Sequence, residues 1–232
     1  MESKARMMTS SQVRAGLLAL AIAGLLGSAV GGPPAGAAQL SCLSTAASPE
    51  TDQTASAAVL PTVSPVPTEV AIAPEVNPPG DIPDNQAFVT YTSLTGGYTV
   101  TMPEGWARQE AGANVTFVDK LHQFSVEVGC ADAAPTVDSA KAQDAAGLAA
   151  RTPAFELVEV TSVDLPAGPA VLIRYRMNSA PDEVTGKQIR LDVDRYEFFK
   201  DGRLAAVSLA APAGSDNVDV SNQVARSFRW TA

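Results

Sequence analysis

Few side chains in this sequence could start a reaction. It holds one histidine, His122, and two cysteines, Cys42 and Cys130. A histidine works as a general base only beside a nucleophile or an orienting acid. No motif supplies either, and His122 reads as a surface or turn residue close to a strand start. None of the serines lies in Gly-x-Ser-x-Gly. Phosphate-cradling glycine loops, His-Glu-x-x-His and calcium loops are missing too. Asp216-Asn217-Val218-Asp219 has the composition of a metal cluster, but a capped helix start accounts for it better. Asn114-Val115-Thr116 has the form of a glycosylation sequon. The expectation is therefore no catalytic residue, no metal and no cofactor.

The side chains best arranged for recognition are charged. Arg174 and Arg176 alternate with Ile173, Tyr175 and Met177, so they share one face of a strand. Arg190, Asp192 and Asp194 do the same opposite Ile189, Leu191 and Val193. If the two strands pair, an Arg/Asp ladder covers one sheet face. Such a ladder is either cross-strand ion pairing or a polar groove whose guanidinium forks hold an anionic or peptide partner. Arg174, Arg176, Asp192 and Asp194 are the candidate binding residues.

The cysteines depend on compartment, which the N-terminus addresses. Lys4, Arg6 and Arg14 precede an uncharged run from Ala15 to Gly32, closed by Ala35-Gly36-Ala37-Ala38. Positive, apolar and small-residue parts in that order make a secretory signal over residues 1–38. Signal peptidase would cut after Ala37 or Ala38; a lipoprotein peptidase would cut before Cys42 and leave lipid on it. The residues Gln39-Leu40-Ser41 fit that second route only in part, since Leu40 falls one place late. The eighteen-residue run is also at the lower edge of a membrane anchor. All three routes put the rest of the chain outside the cytoplasm, where a Cys42–Cys130 bridge can form. Against the bridge, Cys42 lies in what reads as a tether. With Cys42 lipidated, Cys130 would be a lone buried thiol.

Loss of the signal removes Lys4, Arg6, Arg14 and Glu2, a net +2, and moves the formal charge from −9 to −11. So acidic a chain lacks the basic footprint that nucleic acid or anionic lipid requires.

The elements that must position these residues begin late. Residues 39–86 are rich in Pro, Ser, Thr and Ala, and bury too little apolar surface to offset chain entropy. Pro61, Pro65, Pro67, Pro74, Pro78 and Pro79 make them an extended, disordered linker. Residues 87–232 hold all the aromatics and are long enough for one core. Strands are expected at Phe88–Leu94, Tyr98–Met102, Val115–Val118, Phe124–Cys130, Phe155–Leu165 and Pro169–Met177. A long hairpin, Gln188–Lys200 with Arg203–Ala210, turns on Asp201-Gly202. Thr136 caps a helix that runs to about Ala150, ahead of Pro153. Asp216 or Asn217 caps a last helix with Val220, Val224 and Phe228 on one face. In the long hairpin the apolar period slips between Val193 and Tyr196, which predicts a β-bulge near Asp194-Arg195.

Three segments in this order carry a resemblance. They are Tyr98-Thr99-Val100-Thr101-Met102-Pro103-Glu104-Gly105-Trp106, Leu165-Pro166-Ala167-Gly168 leading into a strand, and the terminal Ser227-Phe228-Arg229-Trp230. The chain over residues 88–230 resembles the PsbP-like superfamily, with its extrinsic photosystem subunits, Mog-type Ran-binding proteins and LpqN-type exported lipoproteins. The resemblance implies an α+β fold, an α/β/α sandwich around an antiparallel sheet with a short C-terminal helix. It carries over no catalytic residues and implies an accessory or binding role. The signal and tether match the lipoprotein branch. The expected protein is a monomeric, exported, non-catalytic binding protein at the bacterial cell envelope. Its ligand is an unspecified protein, peptide or small molecule, and it meets a membrane only through the signal or a lipid on Cys42. The competing reading is an envelope-acting hydrolase without a recognisable motif.

Overall fold

In a computed structural model, residues 42, 69–75, 80–83 and 85–231 are described. The signal expected over residues 1–38 and most of the expected linker lie outside them. The domain is built on β1 (Phe88–Ser93), β2 (Tyr98–Pro103), β3 (Ala107–Ala111), β4 (Asn114–Asp119) and β5 (His122–Cys130). A helical run follows, made of α1 (Val137–Ser139), a π-helical stretch (Ala140–Asp144) and α2 (Ala145–Ala149). Next come β6 (Glu156–Leu165), β7 (Gly168–Asn178), β8 (Arg190–Lys200), β9 (Arg203–Pro212), α3 (Val218–Ser227) and β10 (Arg229–Trp230). Among the described residues no helix is long and apolar enough to cross a membrane.

Seven strands form one antiparallel sheet in the order β3-β4-β5-β9-β8-β7-β6, and β1-β2-β10 form a second, smaller sheet. The fold is α+β, with each face of the large sheet covered over part of its area. On one face the helical run packs through Ala140 and Leu148 onto Val160, Val171, Ile173, Leu191 and Val193. On the other, the small sheet and α3 bring Tyr98, Val100, Met102, Val224 and Phe228 onto Phe124, Val126, Tyr196, Phe198 and Val207. That outer layer is mixed, a three-stranded sheet with one helix.

The two cores lie on opposite faces and are offset along the strands, which explains the slipped period of β8. Leu191 and Val193 point into the helix-side core, whereas Tyr196 and Phe198 point into the other. Pairing with β7 and β9 runs without a register shift from Leu191 to Phe198, so the expected bulge is absent from β8. A change of buried face produces the same pattern as a bulge would. The one shift in this half of the sheet lies in β6, between Leu157 and Glu159.

The motif residues are packing devices. Pro103 closes β2, Gly105 takes φ +86°, and Trp106 then turns onto Phe124 with ring centroids 4.7 Å apart. Phe228, fully buried, stacks on Phe198 at 4.7 Å and Tyr98 at 5.7 Å. The β8–β9 turn has positive φ at both Asp201 and Gly202, 51° and 76°, the type I′ geometry that Asp-Gly favours. Thr136 and Ser139 form a reciprocal capping box at α1, as expected of Thr136.

Candidate functional site

The charged ladder forms as the alternation predicted. On β7 and β8 the pairs Arg174↔Asp194 and Arg176↔Asp192 stand opposite one another. Arg174 Nε donates to Asp194 Oδ1 at 3.2 Å and its Nη1 to Glu159 Oε2 at 3.0 Å. Arg176 Nε donates to Asp192 Oδ1 at 2.9 Å, and its Nη1 lies 3.5 Å from Glu156 Oε1. Each guanidinium is thus forked between carboxylates of its two neighbouring strands. The face that carries them is the one whose other end, at Leu172, Tyr196 and Phe198, is sealed under the small sheet. Hydrogen bonding and attraction to Asp192 hold Arg176 above its ordinary range. Partial burial lifts the Asp194 carboxyl, against the pull of Arg174. The sequence did not reveal that Glu156 and Glu159 complete the ladder, because the β6 bulge shifts their register.

Arg190, on the same face, is buried rather than part of the open ladder. Its Nη2 donates to Glu156 Oε2 at 2.8 Å and its Nη1 to the Ala154 carbonyl at 2.7 Å. Beside it, buried Asn178 clamps residues of the expected linker. Its Oδ1 accepts from Ile72 N at 3.1 Å, and its Nδ2 donates to Glu69 Oε1 and the Val70 carbonyl. Gln188 also donates to Glu69, and Lys187 pairs with Glu75. Residues 69–75 and 80–83 therefore lie against one end of the large sheet, and the reading of residues 39–86 as wholly disordered does not hold for them. The physical reason is specific hydrogen bonding, which composition does not register.

The second contact of this strap is organised by Asn217. Its side chain was expected to cap α3 but makes no capping bond there. Asn217 Oδ1 accepts from Ile82 N at 2.8 Å, and Nδ2 faces the Gly80 carbonyl at 2.9 Å, Ser215 Oγ at 2.9 Å and His122 Nε2 at 3.3 Å. His122 is buried, not a surface or turn residue, and burial pulls its pKa below the ordinary histidine value. Trp106 lies against it at 5.7 Å between ring centroids. A cleft of about 200 Å³ opens here, lined by Gly80–Pro83, Gln86, Trp106 and Asp119–His122. Among the described residues no group of three His, Cys, Asp or Glu side chains is placed to hold a metal, Asp216 and Asp219 included. Asn114 Oδ1 accepts from Val128 N within the sheet, so the sequon asparagine serves β4–β5 packing.

Two further features complete the site. Of the alternatives open to the cysteines the structure shows the bridge: Cys42 and Cys130 form a disulfide with Cα atoms 5.5 Å apart. This corrects the view of Cys42 as part of an unfixed tether, and its sulfur, once bridged, cannot also carry a thioether lipid. The other is Arg195, on the helix-side face of β8. It donates through Nη1 to Glu127 Oε2 at 3.0 Å and through Nε to Glu197 Oε1 at 3.2 Å. Arg195 is 5% exposed and Glu197 1%. Burial opposes the guanidinium charge, but Glu197 and then Glu127 more than offset it and hold its pKa above the ordinary value.

Neither a protein-family profile nor a curated protein sequence matches the chain. Among solved structures, it is similar to the cyanobacterial PsbP (CyanoP) of Synechocystis sp. PCC 6803, with 17% identity, 65% of this chain and 98% of that one covered, and a TM-score of 0.43. It is similar to the Ran-binding protein Mog1p of Saccharomyces cerevisiae, with 11% identity, 63% and 96% coverage, and a TM-score of 0.41. It is also similar to LpqN, a protein involved in cell envelope biogenesis of Mycobacterium tuberculosis, with 11% identity, 64% and 93% coverage, and a TM-score of 0.40.

Proposed function

We propose that this chain is an exported, non-catalytic binding protein of the bacterial cell envelope, and that it holds its partner on the ladder face of the large sheet. The observation that carries this reading is the uncovered, charged half of a sheet face whose other half is sealed. Arg174, Arg176, Asp192, Asp194, Glu156 and Glu159 present fixed forks and carboxylates there, at separations set by strand register. A partner with a complementary charge pattern can exchange these exposed pairs for its own at small net cost, since such pairs contribute only about 0–1 kcal/mol each. Export is supported by the signal pattern, and by a disulfide that belongs to an oxidising compartment.

Affinity capture from envelope extracts, using the oxidised protein as bait, tests the assignment. The double variant Arg174→Ala/Arg176→Ala is expected to lose the captured partner while its unfolding midpoint stays close to wild type. Capture that is unchanged, with stability lost instead, would make the ladder structural. Turnover of an envelope polymer by the purified protein would instead support the hydrolase reading.

A further inference from the structure

We infer that the cleft between Trp106, the Gly80–Pro83 strap and the β4–β5 turn is a binding site for a small ligand's alkylammonium head group. It goes beyond the reading above, and requires neither export nor the ladder. Three features carry it.

The first is that the cleft is built from specific contacts. Both polar edges of the strap are fixed by Asn217, through Ile82 N and the Gly80 carbonyl. Gly80 has φ +147°, and a Cβ there would meet Pro212 Cγ at 2.9 Å and His122 Cε1 at 3.4 Å, so the strap sits as close to the floor as a chain can. Asp81 Oδ1 accepts from Asp216 N at 3.0 Å, which fixes that carboxylate as well.

The second is the chemistry of the lining. Trp106 lines the cleft, and the face of an indole ring attracts cations; Asp81 and Asp119 are the acidic residues of the lining. Asp119 stands opposite His122 in the β4–β5 pairing, so its side chain shares the cleft side of the sheet. Lys120 also lines the rim and offsets one of the two carboxylates. Burial pulls the His122 pKa below the ordinary histidine value, which disfavours a positive charge there. The site is net negative in an acidic protein, which favours a cation and repels an anion.

The third is size. About 200 Å³ is below the roughly 300–1,000 Å³ of sites that enclose a whole drug-sized ligand. It suits one compact head group with the remainder of the molecule outside.

The test is a nuclear magnetic resonance titration of the purified, oxidised protein with tetramethylammonium chloride and with n-propylammonium chloride, against sodium chloride at equal ionic strength. A saturable shift of the Trp106 indole N–H, with a millimolar dissociation constant for either cation, is expected. Asp119→Asn, at the rim, should weaken binding severalfold, and Trp106→Leu by roughly threefold to tenfold, the range of a single cation–aromatic contact. Trp230→Phe should leave binding unchanged. Should Trp106→Leu fail to fold, Asp119→Asn and Asp81→Asn decide the matter. Equal shifts with uncharged tert-butanol, or binding indifferent to both aspartate substitutions, would overturn the proposal.

Discussion

Replacing Arg195 by methionine should cost more than any other single surface-neutral change in the sheet, and the structure allows the size to be worked out. The guanidinium sits 3.0 Å from Glu127 and 3.2 Å from Glu197, with its own side chain 6% exposed and that of Glu197 1%. At an effective dielectric of about 20, unit charges roughly 4 Å apart attract by about 4 kcal/mol. Two such pairs outweigh the desolvation of all three groups only while the arginine is present. Arg195→Met deletes both attractions and leaves two acidic groups close together in a buried site, a change expected to cost about 3–5 kcal/mol. That is a large part of the roughly 5–15 kcal/mol that holds a domain of this kind. The triple variant Arg195→Met/Glu127→Leu/Glu197→Leu removes the charges together, and should return to within about 1 kcal/mol of wild type or exceed it. Urea unfolding followed by tryptophan fluorescence measures both. A single-variant loss below about 1 kcal/mol at pH 7, with unchanged denaturant sensitivity, would refute the reasoning and mean that water already solvates these charges.

Other outcomes follow from the same structure. Removing the Cys42–Cys130 bridge as the double alanine variant should lower stability by about 2–5 kcal/mol; loop closure over a separation of 88 residues sets a ceiling near the top of that range. Asn217→Ala strands the buried Ile82 N–H and the Gly80 carbonyl, so a loss of about 2–4 kcal/mol is expected, with rapid hydrogen exchange at the Ile82 amide as the specific sign. His122 has a folded pKa below its unfolded value near 6.5. The unfolded chain therefore binds the proton first, and stability present above about pH 6.5 is lost as pH falls through that value toward the folded pKa. Urea midpoints between pH 7.5 and pH 5 should show this slope, and His122→Gln should flatten it.

The order of elements was legible because it rests on strong local signals: Asp201-Gly202 between alternating strands, the Thr136 capping box, and Pro-x-Gly-Trp at the end of β2. The ladder residues were legible because period-2 alternation assigns a face without any knowledge of the partner strand. β3 was not, since Ala107–Ala111 is exposed at every position and shows no apolar alternation. The antiphase halves of β8 were misread for a deeper reason. A one-face rule is built into pattern reading, and this strand serves two cores. The strap and buried His122 escaped because they depend on Asn178 and Asn217, single polar residues that act far along the chain. Composition near Pro74 described how that chain behaves alone, not what it meets.

The disulfide also changes what the molecule is as a covalent object. Cys42 and Cys130 turn the chain between them into a ring, which holds the Pro-rich segment, the strap and the first five strands. A protease cut at any peptide bond inside that ring opens it without releasing a fragment, so a nicked molecule migrates as an intact one until it is reduced. Signal peptidase cutting after Ala38 would leave only Gln39, Leu40 and Ser41 ahead of the ring. The new amino terminus would then be leashed beside Gly202 at the β8–β9 turn, where Cys42 packs. Any label or fusion placed there would report on that end of the sheet rather than on the end of a long spacer.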